Sequence, residues 1–197
     1  MSKPKVIAIS GSSGCGKTTL VNCLAKQYQC PSFHFDDYIL EGSYPKDMQL
    51  WFSEGADVSL IATPNFSEEI INAKSTHSHA DYIFVEEPFG RQRELMKAVI
   101  DYVILLDLPL EQSFTRVASR VKESSNPNAK KNFSNYEANY KKYFKAIYAE
   151  TVAQVRRNCD LIIKSQGSVV DVASEVRRWL QKNAVPTPII AAPEKEL

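Results

Sequence analysis

VIAISGSSGCGKTTLVNCLA, residues 6–25, joins a short apolar run to a glycine-rich turn and then to the start of a helical stripe. Gly11, Ser12, Ser13, Gly14, Cys15, Gly16, Lys17 and Thr18 satisfy every fixed position of G-x-x-x-x-G-K-[ST]. Glycines at those places let successive backbone N–H groups turn inward on phosphate oxygens, and the helix that follows directs its positive end to the same point. Lys17 is then expected to reach the β- and γ-phosphates of ATP, and the Thr18 hydroxyl to ligate Mg2+, with Thr19 beside it on the first helical turn.

The rest of the chain repeats the strand-then-helix pattern. Lys5 to Ser10, Ser32 to Phe35, Tyr82 to Glu86, Tyr102 to Leu108 and Asp160 to Lys164 are short apolar runs, and helical stripes separate them. Lys17 to Tyr28, a helix capped by Ser67, Leu110 to Val121, Asn135 to Arg157 and Val169 to Leu180 supply those stripes. Short strands without alternation are buried on both faces, so the pattern predicts an α/β fold with a five-stranded parallel sheet and helices on both sides. Residues 1–182 form the domain, with a polar lid at about 121–134, and residues 183–197 an extended or disordered tail. Tyr38 to Pro64 follows no clear period.

Composition limits the function classes. The 197 residues are 44% hydrophobic and 24% charged with a net charge of +1, values of a globular protein with no bulk attraction for nucleic acid or anionic lipid. No apolar run approaches membrane-spanning length, and Met-Ser-Lys-Pro-Lys leads directly into a strand. Four cysteines without CxxC spacing fit a reducing cytoplasm. The partners expected are a nucleoside triphosphate and a small-molecule acceptor, with no nucleic acid and no membrane; oligomeric state is open.

Ligands of parallel sheets gather at the carboxyl ends of the strands. Asp36 and Asp37 stand at one such end, where a carboxylate either takes the proton of an acceptor hydroxyl or holds metal-bound water, or else merely caps a turn. Glu86 ends the third strand and is preferred over Asp107, which has the same apolar-run-plus-acid form, as the acid beside Mg2+. Glu87 is either a second acid of the site or a solvated neighbour, the latter preferred. Arg91, Arg116, Arg120, Lys130 and Lys131 are cations near segments expected to move; Arg116 and Arg120 share a helix face at i,i+4, facing either phosphates or solvent. Trp51, Phe52, Tyr38 and His34 line an acceptor pocket or belong to the core, and His77 and His79 bind metal or lie exposed. Cys15, inside the loop, suggests a thiol at the phosphates that oxidation could block.

ISGSSGCGKTT, FDDY after the second strand, the apolar strand ending in Glu86, RVASR before the lid, and the closing CDLIIKSQGSVVDVASEV together resemble the P-loop small-molecule kinases, within them the uridine kinase and nicotinamide riboside kinase group. The resemblance runs loosely from Lys5 to Leu180. It implies an ATP-dependent kinase of a small, nucleoside-like acceptor. It further implies Asp36 as base, Thr18 and Glu86 at the metal, and Arg116 and Arg120 at the phosphates; Asp36 is a further candidate at the metal, and Asp37, Tyr38 and Arg91 are candidates toward the acceptor. The chain departs from the group where Glu86 continues as Glu87-Pro88-Phe89-Gly90-Arg91, and in Tyr38 to Asn65. A switch GTPase or a transporter ATPase is the competing class. The chain contains neither Asn-Lys-x-Asp nor Ser-Gly-Gly-Gln.

Overall fold

The computed structural model describes residues 3–125 and 127–184; the side chains of 126–132, and with them Lys130 and Lys131, lie outside that description. The elements run β1 (Lys5–Ser10), α1 (Lys17–Tyr28), β2 (Ser32–His34), a 3₁₀ turn (Phe35–Tyr38), α2 (Met48–Ser53), a second 3₁₀ turn (Val58–Leu60), α3 (Pro64–Thr76), β3 (Tyr82–Glu86), α4 (Glu94–Lys97), β4 (Tyr102–Leu106), α5 (Leu110–Glu123), α6 (Pro127–Asn139), a π turn (Tyr140–Phe144), α7 (Lys145–Arg156), β5 (Leu161–Ile163) and α8 (Val169–Asn183).

All strand pairs are parallel, in the order β2-β3-β1-β4-β5. Successive strand residues point to opposite faces, and both faces are apolar, so the sheet is covered twice. Val6, Ala8, Ile83, Val85, Val103 and Leu105 face a core shared with Phe66 and Ile70 of α3, Met96 of α4, and Ile147 and Val155 of α7. Ile7, Ile9, Phe84, Ile104 and Leu106 face the other core, with Leu20 and Leu24 of α1 and Val172, Val176 and Leu180 of α8. The central place of β1 puts the loop after it between the carboxyl ends of β3 and β4, which fixes the site.

Five expectations change. The helix given to Ser67 begins at Pro64, whose fixed φ and missing N–H suit a first turn; Ser67 is buried inside it. The unreadable segment holds α2, capped by Asp47, whose side chain accepts from the N–H groups of Gln49 and Leu50 at 2.9 Å. The lid is helical rather than looped: α6 starts at Pro127, and Phe133 and Tyr136 pack on Phe114 of α5, so tertiary contacts override a polar composition. The long helix expected from Asn135 to Arg157 is split by the π turn, around which Tyr136, Tyr140, Phe144 and Tyr148 form a run of ring contacts. Of the expected tail, Asn183 closes α8 and Ala184 accepts a hydrogen bond from the Tyr82 hydroxyl at 2.9 Å; residues 185–197 lie outside the described ones.

Candidate functional site

Gly11, Gly14 and Gly16 have φ of 137°, 82° and 106°, a backbone that side chains rarely tolerate. At Gly14 space is also short: an added Cβ would collide with the Ser113 carbonyl and lie 2.8 Å from Val117 Cγ2 on α5. Gly14→Ala is therefore expected to cost about 1–3 kcal/mol in urea unfolding and to weaken binding of a fluorescent ATP analogue at least about tenfold, because the loop and α5 must part.

A cavity of about 400 Å³ lies over this loop, bordered by Gly11 to Gly14, Gly16 to Thr19, Asp36, Glu86, Arg116 and Arg120. Lys17 is buried; its Nζ donates to the Ser12 carbonyl at 3.0 Å and stands 3.6 Å from Glu86 Oε1. The Thr18 hydroxyl donates to Glu86 Oε2 at 2.7 Å. Glu86 therefore borders the cavity, whereas Asp107 pairs with Arg156 at 2.6 Å away from it. Asp36, in the turn after β2, opens onto the cavity. Asp36 is exposed as a residue, but partial desolvation of its carboxyl, then the negative charge of Glu86, raise its pKa above the usual 3.8, and Lys17 pulls partly the other way.

Both arginines border the cavity. Arg116 donates to the Cys15 carbonyl at 3.4 Å and to the Ser165 carbonyl at 3.1 Å, bracing the loop against the turn after β5. Arg120, one turn on, lies close enough to Asp36 for its charge to lower that carboxyl's pKa. A second cavity of about 180 Å³ adjoins, floored by Gly16, Thr19, Leu20 and Leu106 and walled by Arg116 and Gly167.

Several expected residues stand elsewhere. Arg91 is a clamp for the other end of the sheet: it donates to the carbonyls of Asp101, Ile100 and Asn158 and pairs with Asp160 at 2.8 Å. The Tyr38 hydroxyl donates to Glu69 at 2.5 Å while its ring rests on Phe66, and Asp37 is exposed; neither borders the cavity. Trp51 is core and Phe52 packs against it. His77 contacts Thr76, and among the described residues no three His, Cys, Asp or Glu gather as metal ligands. Glu87 is not solvated but fully buried, paired with Arg93.

Cys15 also departs from expectation. Its side chain is fully buried in the core with Leu20 and Leu106, away from the phosphate side, and burial pushes the thiol pKa up. The Sγ fills space beneath Gly11 instead of meeting ligand. Native protein treated with iodoacetamide at about pH 8 is expected to be alkylated at the partly exposed Cys23 well before Cys15; peptide mass spectrometry reads the difference, and unfolding in urea abolishes it.

The sequence reading missed the far wall. Tyr44, Pro88, Phe89, Tyr148 and Thr151 complete the cavity. Tyr148 and Thr151 share a face of α7 at i,i+3, a spacing visible in sequence, but nothing local says that the face turns toward the loop. Tyr44 is partly exposed, but desolvation around its phenol pushes it up to about 12, and burial pushes the Tyr148 phenol up as well, so both remain hydrogen-bond donors at neutral pH.

Comparison with known proteins agrees with the fold. Residues 1–135 match the family model described as ABC transporter. TT1252 from Thermus thermophilus superposes with a TM-score of 0.58 at 18% identity, over 93% of this chain and 100% of that one. An uncharacterized protein from Eubacterium ventriosum gives 0.51 at 16%, over 91% and 99%. A shikimate kinase from Bacteroides thetaiotaomicron reaches only 0.49 at 16%, over 90% and 98%, too loose a likeness to bear on activity. At these identities the likeness concerns the fold alone. No curated protein matches the sequence.

Proposed function

The chain belongs to the P-loop family described as ABC transporter, and we propose that within it this protein is an ATP-dependent kinase that moves the γ-phosphoryl group to a hydroxyl of a small, nucleoside-like acceptor. The observation that carries the reading is Asp36: a carboxyl of raised pKa, in one cavity with the loop lysine, the Thr18–Glu86 pair and a cation, Arg120. A nucleotide holder needs the loop. It does not need a basic carboxylate facing it across an open space.

Thr18 and Glu86 fit Mg2+. The threonine hydroxyl spends its proton on the carboxylate, which leaves its lone pairs outward, and both are hard oxygen donors that suit a largely hydrated cation held jointly with phosphates. When bound, Mg2+ supplies positive charge to the phosphate oxygens. Lys17 adds its own charge at the β- and γ-phosphates, and Arg120 adds more as the phosphoryl group passes. Asp36 takes the acceptor's hydroxyl proton. The smaller cavity, where Leu20, Leu106, Val169 and Val172 meet Arg116 and Ser165, suits the donor's base.

The acceptor half is aromatic and uncharged: Tyr44, Pro88, Phe89, Tyr148 and Thr151. A flat neutral ring with a hydroxyl suits it, in keeping with a uridine, cytidine or nicotinamide riboside type. Among the described residues, a carboxylated or phosphorylated acceptor would find Arg116 and Arg120 bordering the cavity beyond the loop lysine, and Arg116 is already engaged with two carbonyls. Such a kinase works on small molecules in the cytoplasm without nucleic acid or membrane.

The family match keeps a second reading open, ATP hydrolysis as a switch or drive. The missing Ser-Gly-Gly-Gln weighs against its transporter form. Release of ADP from Mg·ATP across nucleosides, nucleotides, vitamins and sugars separates the two. A response to one neutral compound, lost in Asp36→Asn, is expected. Equal hydrolysis in every well, unaffected by that change, would sink the kinase reading.

A further inference from the structure

His34 ends β2 directly beside Glu86 in the parallel register. Its Nδ1 lies 3.4 Å from Glu86 Oε2, the same oxygen that accepts from Thr18 at 2.7 Å. Its Nε2 lies 3.0 Å from the amide of Asn22, which follows Thr18 by one turn on the same face of α1. Thr18, Glu86, His34 and Asn22 therefore close a ring between α1 and two strand ends. A carboxylate only accepts, so Nδ1 donates to Glu86; Nε2 faces the side-chain amide of Asn22, placed with Oδ1 toward it, and turning that amide over offers its N–H to Nε2 instead. Glu86 would otherwise be drawn toward Lys17, 3.6 Å from its other oxygen.

We propose that His34, held by Asn22, is a positioning residue that fixes the Glu86 carboxylate in the orientation a Thr18-bound magnesium ion needs. The proposal rests on the magnesium-nucleotide reading above. The ring is one-fifth exposed and Asn22 is on the surface, so neither substitution opens the core. Orienting partners of this kind are typically worth about 10–100-fold in metal affinity.

The experiment titrates binding of methylanthraniloyl-ATP, in chelator and then against Mg2+, for wild type, His34→Ala, His34→Asn and Asn22→Ala. Expected in His34→Ala is metal-free binding within about twofold of wild type, with the Mg2+ half-point raised about 10–100-fold. His34→Asn, whose side-chain N–H falls where Nδ1–H was, is expected to recover most of the shift, and Asn22→Ala to show a smaller shift in the same direction. An unshifted half-point in His34→Ala would overturn the proposal, as would metal-free binding that weakens as much as the magnesium response. Wild-type binding that ignores Mg2+ would overturn the functional reading and this one with it; a responsive wild type beside an unshifted variant overturns this one alone.

Discussion

Asp36→Asn is expected to lower acceptor-dependent ADP release by about 10²–10⁴-fold, the range a general base contributes, while affinity for methylanthraniloyl-ATP stays within a few-fold. Asparagine keeps the shape and hydrogen bonding of the carboxyl but cannot take a proton. The pH profile carries a second test. Partial desolvation and the neighbouring Glu86 raise the Asp36 pKa above 3.8, so the acid limb of wild-type turnover lies above that value and vanishes in the variant. Stability is expected to move the opposite way. A carboxyl whose folded pKa is raised favours folding when protonated; that contribution is present below the ordinary pKa and lost as pH rises through the folded one. At neutral pH the ionised Asp36 is therefore a liability. Solvent at the cavity screens it, so asparagine raises Tm by only about 1–2 °C. An unchanged rate of acceptor phosphorylation would remove Asp36 from the reaction.

How well each part could be read depends on how far along the chain its causes lie. The loop was legible because its chemistry is local: eight adjacent residues, each with a backbone or side-chain reason to be there. The strands were legible because a doubly covered parallel strand must be a plain apolar run, and Glu86 because a strand's last residue leaves the sheet where ligands gather. Glu87 was misread because exposure is the default for a glutamate, and only the fold buries it against Arg93, whose other arm is held by Ile61 and Thr63. Arg91 was misread for the same reason, since its carbonyl partners belong to the opposite end of the sheet. The α6 helix hid behind polar composition because what stabilises it is ring contact with Phe114 on another helix. Tyr44 and Tyr148 carry no motif at all and reach the cavity through long-range packing.

Arg93→Met is expected to destabilise the protein by about 3–5 kcal/mol in urea titration at neutral pH, the cost of leaving one member of a buried ion pair alone. Arg93 is 4% exposed and Glu87 0%. One arm of the guanidinium donates to Glu87, the other to the Ile61 carbonyl at 3.2 Å and the Thr63 hydroxyl at 2.6 Å, and the group lies 5.0 Å from the Phe35 ring centre. It thus ties the segment after β3 to the start of α3 and steadies the turn that carries Asp36, so turnover falls as well. The two single changes are expected to differ in their response to pH. Without Arg93, Glu87 can take up a proton: burial already pushes its pKa up, with Arg93 the largest opposing influence. The folded state of Arg93→Met then favours the protonated acid, so its deficit against wild type is smaller near pH 5 than near pH 8. Glu87→Gln strands a guanidinium that cannot lose its proton in this range, so its deficit stays nearly flat. Glu87→Leu with Arg93→Met removes both charges and is expected to cost less than the two single losses added together. Additive losses, or an Arg93→Met deficit that grows on acidification, would show that the pair's charge is not what holds these segments.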